Sequence, residues 1–284
     1  MTLQAYCEPI DIDPARGVTV ETIRDPADSV QFGKFMHFHD AAEFIWFRNV
    51  SGKVILVNGT FELSGGMAVF VPSMQYHDFW YEPVDKAWTL LHIDPFLVEK
   101  LVNQNGLQAL STPICMTMTG AQAERLDALC AWLSEPQSQG ATLHVRSNLT
   151  ELVLSLIAAA KPDRPKSTST PPDNLARLRP ALNLVTSDPK ATFTVAEAAT
   201  KCNLSTAYFS RRFKQVMGLN FSDYVLIYRL RLAARMLLST GRAIGDIAYN
   251  FGFSSPAHFA VAFKHRFGHS PRAYRQHAKT YWQA

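Results

Sequence analysis

His37, His39, Glu43 and His77 are the residues whose types and spacing invite chemistry. The run His37-Phe38-His39 puts two imidazoles on one face of a strand, because strand side chains alternate. Glu43 follows four residues after His39, and Gly66-Met67-Ala68-Val69-Phe70-Val71-Pro72 leads on to His77. Imidazole nitrogens and a carboxylate converging on one point can hold a divalent metal, so these four are the expected ligands if an ion is bound. The other chemistry open to them is hydrogen bonding, either to a small effector or to one another. By strand parity Ile45, Phe47 and Phe79 share the interior with Glu43 and His77, which adds Phe47 and Phe79 to the expected ligand-binding set. Trp88 and His92 can face either way. An aromatic wall with a few polar groups is what a small-molecule pocket offers, and it suits a sugar as well as an aromatic acid.

Strands must position these groups. The runs EFIWFRN, KVILVNG, TFELSG, MAVFVP and AWTLLHI are separated by Gly, Asn, Asp and Pro, the spacing of a small barrel or double-sheet roll. Val57-Asn58-Gly59-Thr60 reads as a tight hairpin. After Asp94-Pro95 the pattern turns helical. Leu126, Leu129, Cys130 and Leu133 share one face of 122–134, and Leu149, Leu152, Val153, Leu156 and Ile157 form the stripe of 143–160. This last helix precedes KPDRPKSTSTPPDN, four prolines without an apolar anchor, and is therefore the expected dimerisation element. The expected division is a sensor and dimerisation domain at 1–160, an extended, mobile linker at 161–174 and a second domain at 175–284.

Charge divides the chain at the same place. Residues 175–284 hold 16 Lys and Arg against 4 Asp and Glu, and residues 1–174 hold 12 against 20, so the halves carry +12 and −8. A basic surface confined to one half is what phosphate binding requires. The 4 cysteines are scattered without a C-x-x-C pair, which disfavours a zinc finger and fits small buried hydrophobes in a reducing compartment. No apolar run approaches the roughly 20 residues of a membrane span, and residues 1–10 lack the features of a secretory leader, so a cytoplasmic protein without membrane contact is expected.

The basic half writes one helix-turn-helix pattern twice. Val195, Ala198, Ala199 and Leu204 recur as Ile244, Ile247, Ala248 and Phe253, 49 residues on, while Phe209, Phe213, Lys214 and Gly218 recur as Phe259, Phe263, Lys264 and Gly268, 50 residues on. One residue has entered the second turn. Thr194 and Glu197 make a capping box, Ser205 and Ser255-Pro256 start the second helix of each copy, and Asn203 and Gly252 mark the turns. Phe209, Phe213, Phe259 and Phe263 are expected inside. Thr206, Ala207, Tyr208, Ser210, Arg211 and Lys214 are then the DNA-facing set of copy one, and Ser255, Ala257, His258, Val261, Lys264 and Arg266 that of copy two. Between the copies Phe221 and Ser222 open a helix that Gly241 ends; its roughly 18 residues span about 27 Å, close to one DNA turn. Leu175 to Val185 reads as the first helix of this domain, with Pro180 either in its first turn or kinking it.

Residues 175–284 resemble the DNA-binding domain of AraC/XylS-type transcription regulators. The resemblance rests on RLRLAARMLL from Arg229, the I-x-D-I-A run from Ile244, GFSSPAHFAVAFK and FGHSPRAYR. Where members often place polar or basic residues after the second aromatic, this chain has Ala260 and Val261. The order H-x-H, E, G-x5-P, H over about residues 30–95 resembles the two motifs of cupins, in which three histidines and a glutamate bind a divalent metal. Met74 stands where metal cupins usually have Gly. The resemblance implies an α+β, two-domain protein: a cupin-like β-barrel with trailing helices, then an all-α domain with two helix-turn-helix motifs. It implies a non-enzymatic transcription activator, a homodimer whose partners are double-stranded DNA, RNA polymerase and a small-molecule effector, with no cofactor beyond the divalent metal considered above. The alternative is a metal-dependent cupin enzyme fused to a DNA-binding module.

Overall fold

The computed structural model describes residues 5–8, 10, 12, 17–27, 36–135, 143–168, 173–188 and 191–282. The chain forms two compact units, Cys7–Pro171 and Pro172–Ala284, the second including Met1–Tyr6.

The chain has two five-stranded sheets whose registered pairs are antiparallel, and every strand but β1 lies wholly in the first unit. One has the order β1-β3-β8-β5-β6, with β1 (Ala5–Cys7), β3 (Met36–Phe38), β5 (Ser51–Leu56), β6 (Gly59–Ser64) and β8 (His77–Tyr81). The other has the order β10-β7-β4-β9-β2, with β2 (Val18–Asp25), β4 (Ala42–Asn49), β7 (Met67–Val71), β9 (Lys86–Ile93) and β10 (Ile114–Thr117). The hairpin closes one residue earlier than Val57-Asn58-Gly59-Thr60 suggests, with Leu56 opposite Gly59 and Val57-Asn58 as the loop.

Strand β4 explains the architecture. Its first six residues are all buried, because the strand is covered on both faces. Phe44 and Trp46 face outward with Ala68, Phe70, Leu91 and Ile93 into a core closed by α1 (Pro95–Asn105), α2 (Ala121–Ser134) and α3 (Leu143–Ala159). Ile45 and Phe47 face inward with Val54, Leu56, Phe61, Val69 and Val71. Leu149, Val153 and Ile157 of α3 are buried, but Leu152, expected in the same stripe, is 53% exposed. It lies one residue before Val153, about 100° around the helix, on the side turned from the core.

The expected barrel is realised as two facing sheets and not as one closed ring. Edge strands β6 and β10 do not pair with each other; the segment after α3 takes their free hydrogen-bonding groups. Asp163 N–H donates to Cys115 O (2.8 Å), Lys166 N–H to Thr60 O (2.8 Å) and Thr60 N–H to Ser167 O (3.0 Å). Thr117 Oγ1 also donates to Asp163 Oδ2 at 2.9 Å. The part of the linker up to Ser167 is therefore docked, contrary to the expectation of a mobile segment from Lys161 onward. Backbone groups on two sheet edges supply anchors that apolar side chains do not. Cys115, Cys130 and Cys202 are free and buried, and burial pushes the first two thiols up to about 12.

The second unit is helical. It contains α4 (Asp173–Ala176), α5 (Arg179–Ser187), α6 (Val195–Lys201), α7 (Thr206–Met217), α8 (Phe221–Ser239), α9 (Ile244–Asn250), α10 (Pro256–Phe267) and α11 (Pro271–Trp282). The single helix expected from Leu175 is two, broken by a turn before Pro180, which sits in the first turn of α5. No helix among the described residues is long and apolar enough to cross a membrane.

The two copies repeat in detail. Thr194 and Glu197 form the reciprocal capping box, and Ser205 and Ser255 accept from Tyr208 N–H and His258 N–H. Asn203 and Gly252 adopt φ of 55° and 72°, and Gly218 and Gly268 both end their helices at φ 74°. The turn joining α9 to α10 is one residue longer than that joining α6 to α7, as the change of offset requires. Phe209 and Phe213 pack on Phe221, whereas Phe259 and Phe263 pack among Phe253, Leu230, Leu237 and Tyr274. Helix α8 is capped by Asn220, two residues before Ser222, and by Thr240, one residue before Gly241. Asn220 is extended, and its Nδ2 donates to Asp223 Oδ2 (3.2 Å) in place of a side-chain bond to the helix backbone.

Candidate functional site

Between the sheets, His37, His39, Glu43 and His77 come together. One donor atom from each lies within 4.8 Å of the others. Cross-strand register does most of this work: His37 stands opposite His77, and Glu43 opposite both Val71 and His92. Glu43 is the centre. His39 Nε2 lies 2.9 Å from its Oε2, His92 Nε2 3.3 Å from the same oxygen, and His77 Nε2 3.6 Å from Oε1. His37 Nε2 lies 3.3 Å from Glu8 Oε2.

The other ring nitrogens fix the tautomers. His39 Nδ1 lies 2.9 Å from Ala41 O and His77 Nδ1 3.2 Å from Gln75 O. A carbonyl oxygen only accepts, so both Nδ1 atoms carry protons. Each Nε2 then meets the carboxylate either as the second N–H of an imidazolium or as a lone pair that wants a cation. Burial by itself would push His39 down, but the hydrogen bond and charge of Glu43 carry it above the ordinary histidine value. Burial would likewise raise Glu43; the charge of His77 and the hydrogen bonds of His39 and His92 hold it well below the usual carboxylate range. His39 and Glu43 thus form a charged pair, while His77 Nε2 is buried without a hydrogen-bond partner among the described residues.

An aromatic wall continues from the cluster. His77 meets Phe79 (5.8 Å between centroids), Phe79 stacks on Tyr81 (6.0 Å), and Tyr81 stacks on Trp88 (5.3 Å), with Phe47 against the last three. Phe47 is fully buried, whereas Phe79, Tyr81 and Trp88 are half-buried and reach towards solvent. Burial, then the charges of Glu43 and Asp78, push the Tyr81 phenol up, so it stays a neutral hydroxyl. Sequence reasoning left His92 and Trp88 undecided. The signal that places both inward is their pairing with Glu43 and Phe47, which requires the β4–β9 register.

In the helical unit, Thr206, Ala207, Tyr208, Ser210, Arg211 and Lys214 are exposed on α7. Ser210 Oγ donates back to Thr206 O at 2.9 Å, which leaves its lone pairs outward. On α10, Ala257, His258, Val261 and Lys264 are exposed, Val261 at 71%. Ser255 is half-buried with its hydroxyl used as the cap, and Arg266 is half-buried with its guanidinium 5.6 Å from the Phe267 ring.

Comparison with known proteins gives two family matches: an AraC-like ligand binding domain over residues 18–168 and a helix-turn-helix domain over residues 198–277. The chain is 34% identical over 97 residues to an AraC-like transcription regulator of Streptomyces antibioticus, covering 34% of this chain and 32% of that protein. It is 41% identical over 73 residues to the HTH-type transcriptional regulator GlxA of Rhizobium meliloti, covering 26% and 22%. The matched region thus spans about a third or less of these relatives' length. Among solved structures, an AraC-type regulator from Chromobacterium violaceum aligns at 29% identity over 36% of this chain and 92% of its own, with a TM-score of 0.35. ToxT from Vibrio cholerae aligns at 11% identity over 91% and 98%, with a TM-score of 0.37. With the ligand-binding domain match covering more than half of the chain and a helix-turn-helix match following it, the chain belongs to the AraC family of transcription regulators.

Proposed function

We propose that the chain binds double-stranded DNA through α7 and α10 and that a small-molecule effector held between the sheets controls this binding. The observation that carries the reading is the paired motif itself: two capped helices, each with its aromatic face buried and a polar or small face exposed, in a half of the chain with net charge +12. Thr206, Ala207, Tyr208, Ser210, Arg211 and Lys214 form the first contact surface. Ser255, Ala257, His258, Val261, Lys264 and Arg266 form the second, with Ser255 positioning the helix start and Arg266 the least accessible. The effector contacts His37, His39, Glu43, His77, Phe47 and Phe79, to which the geometry adds His92, Tyr81 and Trp88. The regulator acts as an activator, with RNA polymerase as a further partner, and as a homodimer. Trp132 on α2 and Leu152 on α3, 51% and 53% exposed, offer apolar surface for it. Selecting sites from random duplex DNA with the full chain tests the reading. Enrichment of a sequence whose affinity falls steeply with salt supports it, because each neutralised phosphate releases counterion; no enrichment overturns it.

The residues also fit a divalent metal. Three imidazoles and a carboxylate are a borderline-hard donor set, and the Nδ1–carbonyl bonds of His39 and His77 are the outer contacts that orient ligating histidines. His37, His39, Glu43 and His77 would hold the ion, with His92 steadying the carboxylate. A bound ion would supply Lewis acidity towards an effector oxygen. Metal analysis of wild type and His77→Ala tests this, and an equal content in both rules it out.

A further inference from the structure

The segment between the last sensor helix and the helical unit is bound to two strands that do not touch each other's hydrogen-bonding edge. Asp163 is held by Cys115 and Thr117 of β10, and Lys166 and Ser167 by Thr60 of β6. Gly59 shows how closely the segment lies: a Cβ there would sit 2.3 Å from Pro165 Cβ and 2.8 Å from Ser167 O. Asn58 Nδ2 reaches across to Pro113 O at 2.9 Å, so the two edges meet where the segment crosses. The Lys166–Glu62 pair at 3.5 Å is exposed on both sides. The attachment is polar throughout and has no apolar side chain beyond proline, which puts it among the contacts that open before a core does.

We propose that residues 161–167 are a releasable strap that sews β6 to β10 and sets the length of the tether carrying the helical unit. With the strap docked, six chain steps separate Ser167 from Asp173, a reach of at most roughly 20 Å. With it released, 13 steps separate Ala160 from Asp173, and the reach becomes roughly 45 Å. The volume open to the helical unit grows about tenfold, and its effective concentration at any site near the first unit falls by the same factor. An effector that spreads or closes the two sheets moves the strap's anchors and so acts on this equilibrium, with Cys115 belonging both to the inner core and to the anchor. This last step rests on the effector reading above; the strap itself does not, and its test involves neither effector nor DNA.

Thr60 N–H points away from β5 towards Ser167, so Thr60→Pro removes a strap bond while leaving the β5–β6 ladder its own bonds. Trypsin reads the strap directly at the Lys166–Ser167 bond, since Lys161 and Arg164 each precede a proline and resist cleavage. In the full chain, Thr60→Pro is expected to speed cleavage there at least tenfold and to raise the maximum dimension in small-angle scattering by up to roughly 25 Å. The paired variant T60C/S167C, facing positions in an antiparallel bridge, is expected to slow the same cleavage when oxidised and to return to wild-type rates when reduced. If Thr60→Pro fails to fold, Asp163→Ala and the paired variant carry the test. Equal cleavage rates in wild type, the released variant and the oxidised pair would overturn the proposal.

Discussion

Replacing Glu43 by Gln keeps the shape of the buried site and removes its negative charge. In the native protein His39 is raised, so its contribution is fully present below the ordinary histidine value of about 6.5 and is lost as pH rises through the folded value. Glu43 is lowered, so its contribution is present above about 4.3 and is lost as pH falls through the folded value. Both are present between roughly pH 4.5 and 6.5, which is where the pair stabilises most. In the variant only the Ala41 carbonyl and the Glu8 charge, the two smallest of the favouring influences, still oppose burial of a histidine that is 1% exposed, so burial drives His39 below its ordinary value and its protonation favours the unfolded chain. The stability gap between wild type and variant should therefore be largest near pH 5.5 and shrink towards pH 8.5. One proton limits the slope to about 1.4 kcal/mol per pH unit, and breaking a buried pair limits the gap to about 3–5 kcal/mol. Urea unfolding of chelator-treated protein at several pH values measures it, followed by tryptophan fluorescence, since Trp46, Trp80, Trp88 and Trp132 all lie in the first unit. A gap that stays constant or widens from pH 5.5 to 8.5 would refute the assignment of a charged His39–Glu43 pair.

Three further outcomes follow from the helical unit. Arg211→Ala should relax base preference at one or two positions by about 1–3 kcal/mol, whereas Lys264→Ala should weaken all sequences alike and reduce the salt slope by about 0.9; competition titrations at several salt concentrations separate the two. Phe263→Ala should destabilise the helical unit by about 3–5 kcal/mol in chemical denaturation, because the ring is fully buried among Phe253, Phe259, Phe267 and Tyr274. Thr194→Ala removes the side-chain half of a capping box, leaving the backbone N–H of residue 194 on Glu197, and should cost about 1 kcal/mol in the same assay, with no effect on α10 contacts.

What could be read in advance was what local chemistry decides. Thr194 with Glu197, Ser205, Ser255-Pro256, Asn203 and Gly252 each satisfy or terminate a helix within four residues, so their types disclose their positions. The H-x-H alternation and the parity of Ile45, Phe47 and Phe79 likewise need only one strand at a time. His92 and Trp88 needed the register of two strands 40 or more residues apart, which no local pattern encodes. Leu152 looked like part of a stripe because Leu149, Val153 and Leu156 surround it; only the position of the sheet decides which side of α3 is covered. The strap was hidden for a similar reason. Its residues are polar and proline-rich, and their partners are backbone groups of distant edge strands, so composition described a free linker where geometry shows a docked one.

In the proposed mode of binding, α7 and α10 read one face of the DNA together. Helix α8, 19 residues and about 28 Å long, separates the two copies. Footprinting of the full chain on its selected site is the most direct measurement. Two protected stretches about one helical turn apart, roughly 10 base pairs, with the sharper sequence preference under α7, is the result expected. A single protected stretch that survives Arg211→Ala unchanged, or sharper base preference beneath Val261 than beneath Arg211, would contradict it.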